Sequence, residues 1–296
     1  MKTDRPLPSS RSGWRDRPDS VAPTVLILGG FLTVPPQYRG LAGRLRERGA
    51  AGVVVAGVWT PDWLISARRG CGAIATRSGK ALLEAWRLSA QVSGGAPILI
   101  VGHSAGGLVA RVLTAPEPLP GKRFGAVPLI GAIVTLGSPH YLAHGQGIGR
   151  RLNSTVAAVA DAAVPGAYFA PRIGYVSVAS RAIRSDVEGN GRERVAHLMY
   201  RSVIGRGAVP GTEGDGLVPL AATSLEGARQ VVIDGARHGP SMGTWYGSAG
   251  PVDIWWPIAV EVWRAALLVR ANGAARTPQP RVRTGRGTES AGRRAT

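Results

Sequence analysis

Cysteine is nearly absent from the 296-residue chain, with Cys71 standing alone. One thiol builds neither an intrachain disulfide framework nor a cysteine-rich zinc site. Lysine is almost as scarce: Lys2, Lys80 and Lys122 are the only ones among 36 basic residues. Acidic residues number 18, half the bases, so the net charge is +18. No run approaches the roughly 18 uninterrupted apolar residues of a spanning helix. Residues 1–20 hold no apolar core of the kind a secretory signal needs. No G-x-x-x-x-G-K-[ST] loop follows any strand-like run, which excludes the common phosphate cradle. No repeat of 20–50 residues is visible, which excludes a solenoid. Hydrophobic residues make up 44% of the chain, a globular rather than a disordered composition.

The positive charge points first to nucleic acid or an anionic membrane. Its distribution argues against a selected nucleic-acid patch. The bases are mostly arginine in a chain with 42 glycines, a general Arg/Gly/Ala bias, and they are scattered. Residues 1–20 carry five bases and three acids, and residues 271–296 carry six arginines and one glutamate. The expectation is therefore no specific nucleic-acid partner. Loose peripheral contact with anionic lipid is favoured, at about 1 kcal/mol per base near such a surface. One cysteine and no signal suggest a cytoplasmic protein, peripheral at a membrane if it meets one.

Residues 1–21 and 272–296 lack periodicity and are rich in Pro, Ser, Gly, Thr and Arg, which predicts disordered tails, the second of them basic. Between them, residues 22–271 alternate short apolar runs with helical patterns. Strands are expected at Thr24–Leu28, Ala51–Ala56, Pro97–Val101, Ile130–Leu136, Tyr175–Ala179 and Gln230–Ile233. Helices are expected at Gln37–Arg48, Ala73–Val92, Gly106–Thr114 and Val252–Arg270. Strands apolar on both faces and separated by helices predict an α/β domain with a mostly parallel sheet covered on both sides. In such sheets the ligand site lies beyond the carboxyl ends of the strands.

Just after the third strand comes Gly102-His103-Ser104-Ala105-Gly106-Gly107. This is G-x-S-x-G between a strand and a helix, the context that gives the motif its meaning. A serine hydroxyl is a poor nucleophile unless it is exposed, oriented and beside a base. A sharp turn at Ser104 lifts its oxygen above the sheet, and small residues around it let strand and helix approach. The first helical N–H, at Ala105, then points at the oxygen of a reacting carbonyl, reinforced by the helix dipole. A second donor is expected from the loop after the first strand, Leu28-Gly29-Gly30-Phe31-Leu32, at the Phe31 backbone, with Leu32 as the alternative.

Five histidines are candidates for the base: His103, His140, His144, His197 and His238. His238 follows a strand, lies in a Gly-rich loop, and is last in the chain, as the order Ser, Asp, His requires. His103 adjoins the serine, but neighbours in an extended turn point apart. His140 follows the fourth strand and lines the pocket at most. His197 sits in a helical pattern and reads as structural. For the acid, Asp215 lies in Gly214-Asp215-Gly216-Leu217-Val218-Pro219, ahead of His238. A carboxylate buried there would fix the imidazole tautomer and stabilise the imidazolium. Asp186, Glu188, Glu213 and Asp234 are its rivals.

These residues resemble the lipase branch of the α/β-hydrolase fold. Gly102–Gly107 resembles G-H-S-x-G-G. Thr135-Leu136-Gly137-Ser138-Pro139-His140 resembles the T-L-G-[ST]-P-H one strand later, and Gly214–Pro219 the acid-bearing G-D-G-x-V-P. Gly29-Gly30-Phe31 is similar to P-G-F or H-G-F, with Gly29 a departure. The pattern is similar to triacylglycerol lipases of cyanobacteria and plastids and to GPI-inositol deacylase-like hydrolases, over about residues 22–268. The resemblance implies Ser104 as nucleophile, Asp215 as acid, His238 as base, and Phe31 with Ala105 as oxyanion donors. It leaves the role of His140 open.

Residues 140–174 are too many for a bare loop in a compact domain. Asn153–Val164 places Val156, Val159, Ala160 and Ala163 on one face, which fits a short lid-like insertion or a core-packing helix. Trp59 and Trp63, after the second strand, border an acyl pocket or pack in the core. Trp255, Trp256 and Trp263 on the final helix suit packing against the sheet better than an interfacial helix. The expectation is a serine carboxylic-ester hydrolase acting on acyl esters, lipid among them, with no metal or organic cofactor. Two alternatives stand beside it. One is an acyltransferase or thioesterase using the same triad. The other is a non-catalytic basic protein associated with membrane or nucleic acid.

Overall fold

A computed structural model describes residues 13–69, 71–117, 125–142 and 156–275. In chain order the strands are β1 Thr24–Leu28, β2 Gly52–Val55, β3 Ile98–His103, β4 Ile130–Leu136, β5 Gly174–Ser180, β6 Ile183–Arg184, β7 Glu213–Gly214 and β8 Arg229–Ile233. The helices are α1 Arg39–Glu47, α2 Thr60–Arg69, α3 Gly72–Val92, α4 Ala105–Thr114, α5 Ala158–Ala163, α6 Gly191–Ile204, α7 Leu220–Thr223 and α8 Ala249–Ala275. Among the described residues six strands form one sheet in the order β2-β1-β3-β4-β5-β8, every pair parallel. A small two-stranded antiparallel sheet of β6 and β7, with α6 between them in the chain, stands beside it.

The apolar strands β1, β3 and β4 are buried along their whole length because helices cover both faces. Successive side chains point to opposite faces, so each strand feeds two cores. Leu26, Leu28, Ile98, Ile100 and Ile133 face Trp63, Leu82, Leu108 and Leu113 on one side. Val25, Ile27, Leu99, Val101 and Val134 face Leu41, Leu45, Trp255, Trp263 and Leu267 on the other. The edge strand β8 alternates instead, with Val231 and Ile233 inward and the residues between them exposed. The three tryptophans of α8 are buried and each indole N–H finds a backbone carbonyl, Trp255 on Tyr246, Trp256 on Arg48 and Trp263 on Pro97. That helix packs on the sheet, and no described helix is long and apolar enough to cross a membrane.

Several boundaries differ from the sequence expectation. The helix expected from residue 37 opens as a 3-10 turn, Pro35–Tyr38, because two prolines fix the backbone of its first turn. Helix α2 was not expected. It begins where the Asp62 carboxylate accepts the Trp59 N–H at 2.9 Å and pairs with Arg77 at 2.6 Å. Trp14, inside the stretch read as a tail, is 3% exposed and packs into the core layer of α1 and α8. Residues 1–12 and 276–296 lie outside the described residues, as do 143–155 of the expected insertion. The described remainder of that insertion holds α5, whose Ala160 is buried together with Val156 and Val164.

Candidate active site

Strand β1 connects to β2 on one side of the sheet, and the chain then crosses to β3 on the other. The order reverses between β1 and β3, which opens a crevice beyond their carboxyl ends. Among the described residues only two non-glycines hold a positive φ. They are Leu32 at 59° after β1 and Ser104 at 54° after β3. Such a backbone costs about 1–3 kcal/mol and persists only where the surroundings enforce it. Both lie at the crevice.

Close packing forces the turn at Ser104. Its N–H donates to the Leu136 carbonyl at 2.9 Å, tying the turn to the end of β4. A Cβ on Gly106 would overlap the Leu28 carbonyl, and one on Gly107 would overlap the Ser138 side chain. Helix α4 therefore starts directly against β1 and the segment after β4. The Ser104 side chain is half-buried at the helix mouth. The Ala105 N–H, first in the helix, has no carbonyl a turn behind it. The Gly30 N–H is already engaged by the Tyr38 hydroxyl at 3.0 Å. Among the described residues the neighbouring Phe31 N–H has no protein acceptor. The departure at Gly29 has a local cause: a Cβ there would meet the Tyr38 ring and the Thr33 hydroxyl, each at 2.8 Å.

Asp215 and His238 arrive from loops. Asp215 is fully buried and its carboxylate is saturated. Oδ1 accepts the N–H groups of Leu217 at 3.0 Å and Val218 at 2.8 Å. Oδ2 accepts from His238 Nδ1 at 2.8 Å and from the Tyr246 hydroxyl at 2.9 Å. Burial alone would raise its pKa. The charge and hydrogen bond of His238, with the two backbone donors, outweigh burial and hold it below the ordinary carboxylate value. The Tyr246 phenol is pushed well above its usual value by burial and by the Asp215 charge, so it stays a donor. Helix α6 steadies the same loop. Asn190 caps it by accepting the Arg192 and Glu193 N–H groups. Its Tyr200 hydroxyl donates to the Ile183 carbonyl and accepts the Gly216 N–H, both at 3.0 Å.

The rival acids lie elsewhere. Asp186, Glu188, Glu213 and Asp234 are exposed, and Asp234 pairs with Arg181 at 3.2 Å. Of the other histidines, His144 lies outside the described residues and His197 is buried on α6. His140 bonds Thr135 Oγ1 at 3.0 Å and Arg111 at 3.4 Å. His103 sits against His238, their ring centroids 4.9 Å apart. Because His103 immediately precedes Ser104, this contact sets the His238 loop against the turn that carries Ser104. Trp63 is buried edge-on against Phe31, with centroids 5.8 Å apart, and Trp59 is exposed at the rim. Tyr38, Tyr200 and Tyr246 were missed by sequence reasoning. No spacing rule reports where a phenol hydroxyl ends. Among the described residues no cluster of three or more His, Cys, Asp or Glu is arranged to hold a metal ion.

No protein-family model matches the chain, and no curated protein matches it. Solved structures do. The mature form of the Bacillus licheniformis lipase BlEst2 is 14% identical with a TM-score of 0.54, over 84% of this chain and 94% of that one. Its propeptide form is 15% identical with a TM-score of 0.51, over 83% of this chain and 52% of that one. At such identities the likeness is one of fold, and the fold is that of the α/β-hydrolases.

Proposed function

We propose that the chain is a serine carboxylic-ester hydrolase of the lipase or esterase kind, working through an acyl-enzyme on Ser104. The observation that carries this reading is the buried Asp215–His238 pair, 2.8 Å apart, with His238 packed on His103, the residue before a serine held at a φ of 54°. The serine oxygen attacks the ester carbonyl while His238 Nε2 takes its proton. The carbonyl becomes an oxyanion facing the N–H groups of Phe31 and Ala105, each worth on the order of 10²–10³ in rate. Asp215 keeps His238 protonated at Nδ1 and stabilises the imidazolium. As the tetrahedral adduct collapses, His238 gives the proton to the leaving alcohol. Water then repeats the sequence on the acyl-enzyme and releases the acid. No step needs a metal or an organic cofactor.

The apolar surroundings of the crevice, with Phe31 and Trp63 in one cluster, favour an acyl substrate, lipid esters among them. The Arg-rich composition adds a pull toward anionic lipid surfaces. The test is labelling with a fluorophosphonate probe alongside hydrolysis of a p-nitrophenyl ester panel. Wild type is expected to label and turn over, and Ser104→Ala to lose about 10⁶ in kcat. A folded wild-type chain that neither labels nor hydrolyses overturns the reading and favours a non-catalytic basic protein. Acyl products formed preferentially with added alcohol or thiol would move it to the acyltransferases or thioesterases.

A further inference from the structure

His238 has four polar atoms, and protein groups hold three of them. Its N–H donates to the Asp215 carbonyl at 3.0 Å. Its Nδ1 meets the Asp215 carboxylate at 2.8 Å, and its own carbonyl meets His103 Nε2 at 2.7 Å. A carbonyl oxygen only accepts, so His103 Nε2 carries a proton, and in the neutral ring Nδ1 is then an acceptor. The Tyr38 hydroxyl stands 2.8 Å from that Nδ1 and 3.1 Å from Thr33 Oγ1, and its single proton goes to the nearer acceptor, Nδ1. The Tyr38 oxygen in turn accepts the Gly30 N–H at 3.0 Å, one residue before Phe31. Both His103 and Tyr38 are 1% exposed. Burial, and then the nearby His238, push the His103 pKa down to about 3, so the ring keeps this donor and acceptor arrangement at neutral pH.

We propose that His103 and Tyr38 are positioning residues. They form one hydrogen-bonded chain from the main chain of the base to the loop that bears the oxyanion donor. The chain links the loop of His238 to the loop after β1, between which no other hydrogen bond is found among the described residues, and so fixes their spacing. Trp245 closes its outer side, edge-on to His103 with centroids 5.5 Å apart and to Tyr38 at 6.1 Å. Neither residue touches the substrate. Their effect is exerted when His238 becomes positively charged and the oxyanion forms, since both partners must then stay in place. A misplacement of about 1 Å at such a moment costs on the order of 10²-fold in rate.

This inference rests on the serine-hydrolase reading, and the experiment separates the two. Steady-state hydrolysis of p-nitrophenyl butyrate is measured for wild type, Ser104→Ala, Tyr38→Phe, His103→Leu, His103→Gln and the Tyr38→Phe/His103→Leu double variant. Leu41→Ala, on the buried face of α1, serves as a stability control. Tyr38→Phe and His103→Leu are expected to lose about 10–100-fold in kcat with KM nearly unchanged. The double variant is expected to lose no more than the worse single variant, because one chain is cut only once. His103→Gln keeps a donor near the position of Nε2 and is expected to recover most of the loss. Leu41→Ala is expected to melt earlier yet keep its kcat. Wild-type kcat in Tyr38→Phe, losses that multiply in the double variant, or an equal kcat loss in Leu41→Ala would each overturn the relay while leaving the triad standing. Undiminished hydrolysis by Ser104→Ala would instead overturn the triad and remove the relay's premise.

Discussion

The two halves of the site are built by different forces. The serine half comes from β1, β3 and α4, and close backbone packing places it. Gly106 and Gly107 let the helix sit on its neighbours, and Ser104 is left in a conformation it would not adopt alone. The half that holds Asp215 and His238 comes from the loops after β7 and β8, and hydrogen bonds place it. Asp215 alone accepts four. Steric placement tolerates no added atom, whereas polar placement fails by degrees as partners are removed one at a time.

The comparison breaks most sharply at the carboxylate. Asp215→Asn keeps the shape but presents an amide to His238 and favours the wrong tautomer. A loss of about 10⁴ in kcat is expected, read in steady-state ester hydrolysis with the fold checked by circular dichroism. A loss below tenfold would remove Asp215 from its role. On the steric side, Gly106→Ala places a methyl against the Leu28 and Gly29 carbonyls, which have no free direction in which to yield. It should cost about 3 kcal/mol of stability in urea melts. Melting with wild type would show that the approach is looser than described.

A pH dependence sharpens the contrast. Burial holds the pKa of His103 and of His140 down to about 3, with His238 and Arg111 respectively adding to the effect. Both rings are therefore uncharged in the fold, while the unfolded chain takes up a proton on each near pH 6.5. Their contribution is fully present above that value and is lost as pH falls toward about 3. Where both unfolded rings are charged and both folded rings are not, stability should fall by about 2.7 kcal/mol per pH unit. Urea melts between pH 6.5 and 4 measure the slope, and His140→Gln should halve it. An unchanged slope in that variant would count against a buried, uncharged His140. The smallest effect is expected at Tyr246→Phe, which removes one of the donors to Asp215 Oδ2. About a tenfold fall in kcat corresponds to the loss of one hydrogen bond to a charged group. Wild-type turnover would mean that His238 alone suffices to hold that oxygen.

What the sequence disclosed follows the same division. Strands β1, β3 and β4 were legible because burial on both faces demands unbroken apolar runs. The turn at Ser104 was legible because close backbone approach leaves glycines at fixed spacing. The meeting of Asp215 with His238 was legible from a Gly-rich loop placed ahead of that histidine. The phenols were not. Tyr38 reads as an apolar position on a helix, and its hydroxyl meets His103 across 65 residues of chain. Tyr200 and Tyr246 hide in the same way, since periodicity records which face a ring buries and is silent on where its oxygen stops. Helix α2 was hidden because Trp59-Thr60-Pro61-Asp62 resembles a loop until the Asp62 carboxylate is seen to cap it. His103 adjoins the serine in sequence, yet its ring turns to the His238 carbonyl, a contact 135 residues away that no local pattern announces.

Arg111 carries a last consequence. Its side chain, on α4, is 2% exposed, and its guanidinium donates to Asp161 at 2.9 Å and to the Val164 carbonyl at 3.0 Å. Swinging α5 outward would strand a permanent cation in an oily interior, a penalty of several kcal/mol. The pairing fastens α5 to α4, so the described end of the 140–174 stretch belongs with the interior it covers.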